Sequence, residues 1–450
     1  MKSRKSARLL LLIAWSAALA CAILSPRAAA DGDGRELALR ARALLNQHCF
    51  QCHGLNGIAR KNVFVLDRAR LLASKVITPG DENSLLLKMI ERDAMPPTDD
   101  KLSAEEKSAI RSWILAGAQD WNDSRSETRA FISEPEILAA IREDLARASE
   151  RSRPFLRYFS LAHLYNAGAS DEEMNTYRAS LSKLINSLSW HREITLPAPI
   201  DAAKAVYRID LRDYQWTAQT WNLILSAYPY GIRTADTEVI RVLSGALLPY
   251  VRADWFAANA SVPPLYHDLL ALPRTVQELE RMLGVDAARD LAEEKNVARA
   301  GLRTSGVSEN NRVLERHPTA YGAYWKSFDF RSSLDDQNIF RDPLRLNPAG
   351  GEMIFNLPNG LQAYFITDGH GNRLDQAPIQ IVSDRNNADE PVITNGRSCM
   401  SCHFDGVKSF RDEVRAVVRD TRVGAFDSDR AIALYPEQDA LDRLVEKDRE

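Results

Sequence analysis

Apolar positions recur at two periods along this 450-residue chain, and the change of period divides it. Near the start, Leu37, Ala41, Leu44 and Leu45 stand at i, i+4, i+7 and i+8, which predicts a helix with one apolar stripe. A second helix is predicted in "LSAEEKSAIRSWILAGA". Ser103 and Glu106 form a capping box, Ile110, Trp113 and Ile114 make the buried face, and Gly117 ends it. Between the two helices lies "AMPP". Pro96 and Pro97 exclude a helix there, so an extended loop is expected to hold Met95 in place. Met89, on the apolar run "SLLLKMI", reads as a core methionine.

From 125 to 300 the period stays helical. "SDEEMNTYRASLSKLINSLSW" opens with the pair Ser170 and Glu173 and places Leu181, Leu184, Ile185 and Leu188 on one face; Thr275 and Glu278 repeat the capping device. Trp216, Trp221, Tyr228, Tyr230, Trp255 and Phe256 read as core packing, and His163, His191 and His267 as structural. After 301 the texture alternates, with Asn359-Gly360 and "DGHGN" as turns, which predicts short antiparallel strands. The last residues, "LYPEQDALDRLVEKDRE", read as helix with no stop signal, as in a chain that continues further.

Cysteine usage changes the picture. Of five cysteines, four lie in two copies of C-x-x-C-H: "CFQCH" (Cys49, Cys52, His53) and "CMSCH" (Cys399, Cys402, His403). The fifth, Cys21, belongs to an opening segment with a basic start, an apolar run "LLLLIAWSAALACAIL" and small residues Ala28 and Ala30. That is the layout of a secretory signal peptide over residues 1–30, cleaved after Ala30. The run is short for a spanning helix of about 20 residues. A lipid anchor at Cys21 is the weaker option, because Ala18 stands where a lipoprotein signal usually has Leu. Residues 1–30 hold five basic and no acidic side chains, so the formal charge of −3 becomes five units more negative, −8, without them. A chain that acidic is a poor partner for nucleic acid. The expected location is periplasmic, with membrane contact only through an uncleaved signal or anchor.

C-x-x-C-H admits three chemistries. On a helical turn, cysteines at i and i+3 share a face and the histidine follows at i+4. The thiols can then add to two haem vinyl groups while the imidazole ligates iron. A four-cysteine zinc site needs knuckle pairs about 15–20 residues apart, and here Cys52 and Cys399 stand 347 residues apart. A disulfide or redox pair explains neither histidine. Two copies behind an export signal point to two covalent haem c groups, bound at Cys49, Cys52, Cys399 and Cys402, with His53 and His403 as iron ligands.

Helix, C-x-x-C-H-G, a methionine–proline loop and a closing helix is the order of a class I cytochrome c. Residues 35–121 resemble the planctomycete-type cytochrome c domain more closely, in "CFQCHG", "TPGDENSLLLKM", "MPP" and "LSAEEKSAIRSWILAGAQDW". The resemblance implies that Cys49 and Cys52 bind haem and that His53 and Met95 ligate its iron. "RHPTAYGAYWKSFDF", "IFNLPNGLQAYFITDGHGNRLD" and "NGRSCMSCH" are similar to the C-terminal part of large bacterial c-type cytochromes of the same group. The expected fold is mainly α. It has an N-terminal class I cytochrome c-like domain (31–124), a helical middle region (125–300) and a C-terminal α+β haem region with short antiparallel strands (301–450).

The function expected is electron transfer between periplasmic redox proteins, with no catalytic residue assigned. The alternatives are a dihaem enzyme of the peroxidase kind, with one open iron, and a haem-based redox or gas sensor. Everything turns on the sixth ligand of the second haem. No Met or His follows His403. Met400 lies between the attachment cysteines and Lys408 follows too closely, which leaves His317, Met353, His370 or an open iron.

Overall fold

The computed structural model describes residues 27–54, 63–97, 101–121, 129–231, 234–385, 391–420 and 426–450. The expected export signal falls outside these residues except for 27–30, which lie within the first helix. The described chain forms two compact units that divide between Arg129 and Ala130.

The first unit is helical: α1 (Arg27–His48), α2 (Phe50–His53), α3 (Arg68–Ala73), α4 (Leu85–Glu91) and α5 (Ala104–Leu115). The predicted stripe of α1 is present. Ala41, Leu44 and Leu45 are buried, and Leu37 packs on the same core. Ile110, Trp113 and Ile114 of α5 close it from the other side. Both halves of the Ser103–Glu106 capping box form, and α5 gives out at Ala116 just before Gly117. One departure concerns Met89. It is half-buried and stays out of that core, because the buried positions of α4 are taken by Leu86, Leu87 and Ile90.

The second unit is not purely helical up to 300. Its helices are interleaved with four short strands, β1 (Leu156–Ser160), β2 (Ala198–Pro199), β3 (Val206–Asp210) and β4 (Tyr250–Arg252), ordered β2-β3-β1-β4. β1 runs antiparallel to β3 and parallel to β4. All five residues of β1 are buried, so "LRYFS" shows no alternation for a sequence pattern to catch. The predicted helix does form, over Asp171–Ser187, with its capping box.

The C-terminal strands are β5 (Ala298–Leu302), β6 (Arg312–Thr319), β7 (Gly322–Asp329), β8 (Gly350–Asn356), β9 (Gln362–Asp368) and β10 (Arg373–Leu374). They make one antiparallel meander in the order β10-β9-β8-β7-β6-β5. Register sorts the side chains into two faces. Tyr324, Met353, Phe355 and Phe365 face one way, into the large core shared with the helices of 170–285. Trp325, Ile354, Tyr364 and Ile366 face the other, where the segment carrying "CMSCH" and the final helix, Gln438–Arg449, cover them. Among the described residues no helix is long and apolar enough to cross a membrane.

Candidate haem sites

The first C-x-x-C-H is a single helical turn. His53 N–H donates to the Cys49 carbonyl at 2.8 Å and Cys52 N–H to the same carbonyl at 3.1 Å, so both cysteines and the histidine share one side of α2. The turn is anchored twice at its start. Cys49 N–H continues the α1 ladder to Leu45. His48 Nε2 meets Glu106 Oε1 of α5 at 3.2 Å, which ties the end of α1 to the start of the closing helix. Gly54 follows in an extended conformation, and a Cβ there would come within 2.6 Å of the Phe50 carbonyl oxygen. That close approach is the reason for the final glycine of "CFQCHG".

Cys49 and Cys52 are free thiols, not a disulfide. Cys49 is buried against the helical core, and burial, with some repulsion from Cys52, pushes its thiol up to about 11. An uncharged thioether suits that position better than a thiolate, because burying an unpaired charge is costly. Met95 is half-buried in the loop after α4. Its N–H and that of Ala94 both donate to the Met89 carbonyl, at 3.2 and 3.0 Å. The loop predicted from "AMPP" therefore exists, with Met89 beside it. Among the described residues no group of three or more His, Cys, Asp and Glu side chains is arranged to hold a metal ion. A paired thiol and imidazole turn fits haem c.

The second C-x-x-C-H lies at the end of the helix Arg397–Cys402. Its entry is tight. Gly396 has φ +83, and a Cβ would come within 2.5 Å of the Ser261 carbonyl and 3.0 Å of the Tyr266 ring. Asn395 Nδ2 donates to His267 Nε2 at 2.8 Å, so this buried histidine positions the turn rather than a metal. Burial holds His267 down, at about 4, which keeps that nitrogen an acceptor. Cys399 and Cys402 are again free thiols, raised first by burial.

The ring of His403 is oriented from both sides. Its Nδ1 lies 3.1 Å from the Gly406 carbonyl oxygen, to which an Nδ1–H donates. Tyr364 of β9 stacks at 6.1 Å, tilted by 34°. That hydrogen bond leaves the Nε2 lone pair to a metal, the usual arrangement for a ligating histidine. Burial pushes the His403 pKa down, favouring the neutral imidazole that ligation needs. A cavity of about 520 Å³ opens beside it, lined by His403, Met400, Tyr364, Lys183, Leu184 and Arg449 among others. The size lies within the ~300–1,000 Å³ of cofactor and ligand sites. Met400 therefore reaches the cavity, although it shares a helical turn with the attachment cysteines. Lys408 does not; its Nζ binds Asp405 at 2.7 Å.

The three upstream candidates for a sixth ligand fare poorly. His317 is fully buried on β6, with Nδ1 at 2.9 Å from Asp290 Oδ2 and Nε2 at 3.1 Å from Glu315 Oε1. Both ring nitrogens are thus engaged by carboxylates. Met353 faces away from His403 across the sheet, paired with Phe365 in the large core. His370 is exposed in the turn after β9, its N–H donating to Asp368 Oδ1. None of the three lines the cavity.

A buried charge cluster, unforeseen in the sequence, shares the motif's side of the sheet. Arg312 forms an ion pair with Asp329 at 2.9 Å and with Glu352 at 2.5 Å, and Ser327 Oγ donates to Asp329 Oδ2 at 2.9 Å. The Glu352 carboxylate reaches the motif electrostatically and adds to the upward shift of Cys399 and Cys402. Only the spacing of alternate strand residues could have hinted at this grouping.

Helix, thiol–imidazole turn, methionine loop and capped closing helix make the first unit a c-type cytochrome domain, which binds haem c covalently and transfers electrons. Residues 36–114 match the family described as cytochrome c oxidase, cbb3-type, subunit III. No curated protein and no solved structure matches the chain.

Proposed function

We infer that the chain is a dihaem c-type cytochrome, exported to the periplasm, that carries electrons between periplasmic redox proteins. The observation that supports a second haem is the oriented imidazole of His403, held by Gly406 and Tyr364 beside a cavity and next to two unbridged thiols. Haem c supplies one-electron chemistry when bound, and the surrounding protein sets its potential. In this reading Cys49 and Cys52 hold the first group, with His53 and Met95 as its axial ligands. Cys399 and Cys402 hold the second, with His403 on one side. The planctomycete-type likeness of residues 35–121 and of the stretch around "CMSCH" agrees with two haems in one chain. The test is a haem count on protein made with the periplasmic maturation machinery. Two haems per chain by pyridine haemochrome are expected; one haem, or stoichiometric zinc in natively isolated protein, overturns the reading.

A second reading is favoured by the fate of His317, Met353 and His370. If no other side chain takes their place, the iron bound by His403 keeps an open position. The protein would then be a peroxidase-like enzyme or a haem-based redox or gas sensor. A high-spin ferric signal together with turnover of peroxide and a reduced donor would select the enzyme, and a high-spin signal without turnover the sensor. Two low-spin haems restore the carrier.

A further inference from the structure

The Met95 loop is fastened from two directions. From inside, Met95 and Ala94 donate their N–H groups to the carbonyl of Met89. From outside, Lys101 Nζ donates to the carbonyl oxygens of Asp93 at 2.9 Å and Pro96 at 2.5 Å. Those two carbonyls bracket Ala94 and Met95, so a single ammonium closes the loop across the methionine. An ammonium has three donors and no acceptor, and can serve both carbonyls at once. Asp93 is the strained end of the loop, a non-glycine residue with φ +54, and its carboxylate is held by Lys107 Nζ at 2.6 Å. Lys101 itself is exposed and fills no core.

On the reading that Met95 is the sixth ligand of the first haem, we propose that Lys101 is a positioning residue for that ligand. It touches neither the iron nor the sulfur. It fixes the backbone on either side of Met95, so that the loop loses its conformational freedom before the iron–sulfur bond forms. A preorganised ligand competes better against a free one in solution, because less ordering remains to be done on binding. Without the clamp the fold survives and the thioether is displaced more easily. Two charge-assisted hydrogen bonds at an exposed site correspond to roughly tenfold in that competition.

The experiment uses the full chain carrying Cys399→Ala and Cys402→Ala, so that only the first haem is present. Imidazole is titrated into the ferric protein while the methionine-to-iron charge-transfer band is followed by magnetic circular dichroism. Lys101→Met should let imidazole displace the thioether roughly tenfold more readily, with the thermal unfolding temperature little changed. Lys101→Arg, which can still reach both carbonyls, should restore the original value. A lysine that merely supports the fold would shift unfolding and leave the displacement midpoint where it was, and that outcome overturns the proposal. Met95→Ala separates the two levels of the argument. If the band survives that change, Met95 is not the ligand and both readings fall. If the band is lost but Lys101→Met leaves displacement unaltered, the positioning role alone falls.

Discussion

Around Cys49 the walls are helices and an apolar core, and the thioether candidate arrives on a loop 42 residues downstream of His53. Around Cys399 one wall is a β-sheet face that carries Tyr364, Ile366 and the Arg312–Asp329–Glu352 cluster, and residues 404–450 contain no methionine. The attachment device is the same five-residue turn in both places. What differs is what stands opposite the histidine and what charge lies behind the thiols. On the dihaem reading, the turn would fix covalent attachment and one ligand, and the surrounding elements would set the other ligand and the potential. Two copies of one motif therefore stand in two different chemical surroundings, and on the dihaem reading they would hold two different haems.

The strongest way to break the comparison is to remove either device. Cys49→Ala with Cys52→Ala should leave one covalent haem per chain, and so should Cys399→Ala with Cys402→Ala. Pyridine haemochrome and denaturing gels stained for haem read this directly. A chain that loses all haem with the first pair and none with the second has one haem site, and the contrast between two sites disappears.

The next test separates the ligand sets. Met95→Ala should turn the first iron from His/Met to open or misligated and lower its potential, since a thioether favours the ferrous state. Persistence of the charge-transfer band would shift the assignment to Met89, whose carbonyl already anchors the loop. For the second haem, Met353→Ala and His370→Ala should leave the ferric EPR spectrum unchanged, because neither side chain reaches the cavity beside His403. Loss of a low-spin signal in either variant would reverse the placement of that residue.

Much of the first site was legible. The stripe of α1, the capping box of α5 and the proline-bounded loop all rest on local rules of period and capping, and local rules survive into the fold. The second site was legible only at "CMSCH". The ring of Tyr364 and the cluster under Cys399 come together through pairing of β6 to β9, which no local pattern announces. His317 shows the cost most clearly. As a lone histidine in sequence it is a candidate ligand; only tertiary structure brings Asp290 from a distant helix onto its ring. β1 was missed for another reason, since full burial erases the alternation by which strands are recognised.

The His317 clamp offers a stability test confined to the second unit. Burial alone would raise Glu315, but the His317 hydrogen bond and the charge of Arg299 hold it down, at about 2. Burial alone would lower His317, but Glu315 and Asp290 raise it above its ordinary 6.5. The lowered carboxylate stabilises the fold above its ordinary 4.5, and that contribution fades as pH falls towards 2. The raised imidazolium stabilises the fold below 6.5, and that contribution fades as pH climbs through its folded value. Stability of the second unit should therefore be greatest between these limits, with the acid arm worth on the order of 3 kcal/mol. Glu315→Gln should cost about 3–5 kcal/mol at pH 6, because it leaves Arg299 and His317 buried without their carboxylate. Denaturant unfolding followed by tryptophan fluorescence across pH measures both. An unfolding profile that shows no loss of stability as pH falls from 4.5 towards 2 would mean that the Glu315 carboxylate is not held in its ionised form by the clamp.

The smallest effect belongs to the first unit and concerns how its motif is held rather than what it binds. Ser103 Oγ accepts from the Glu106 N–H at 3.2 Å, and the Glu106 carboxylate returns to the Ser103 N–H at 2.7 Å. The same carboxylate meets His48, one residue before Cys49. Those hydrogen bonds, Ser103's backbone first and His48's ring after it, hold Glu106 below the usual carboxylate range. Ser103→Ala removes one half of the box and should cost about 1 kcal/mol of stability in the first unit. Glu106 keeps its bonds to the Ser103 N–H and to His48 in that variant, so haem content and the methionine-to-iron band should not change. Glu106→Ala cuts the link to His48 as well and should cost more than the cap alone, with a detectable broadening of the first haem's EPR signal as the end of α1 loosens. Equal losses in the two variants, with identical spectra, would show that the His48–Glu106 contact does nothing for the motif, and that the first turn is positioned by the α1 backbone alone.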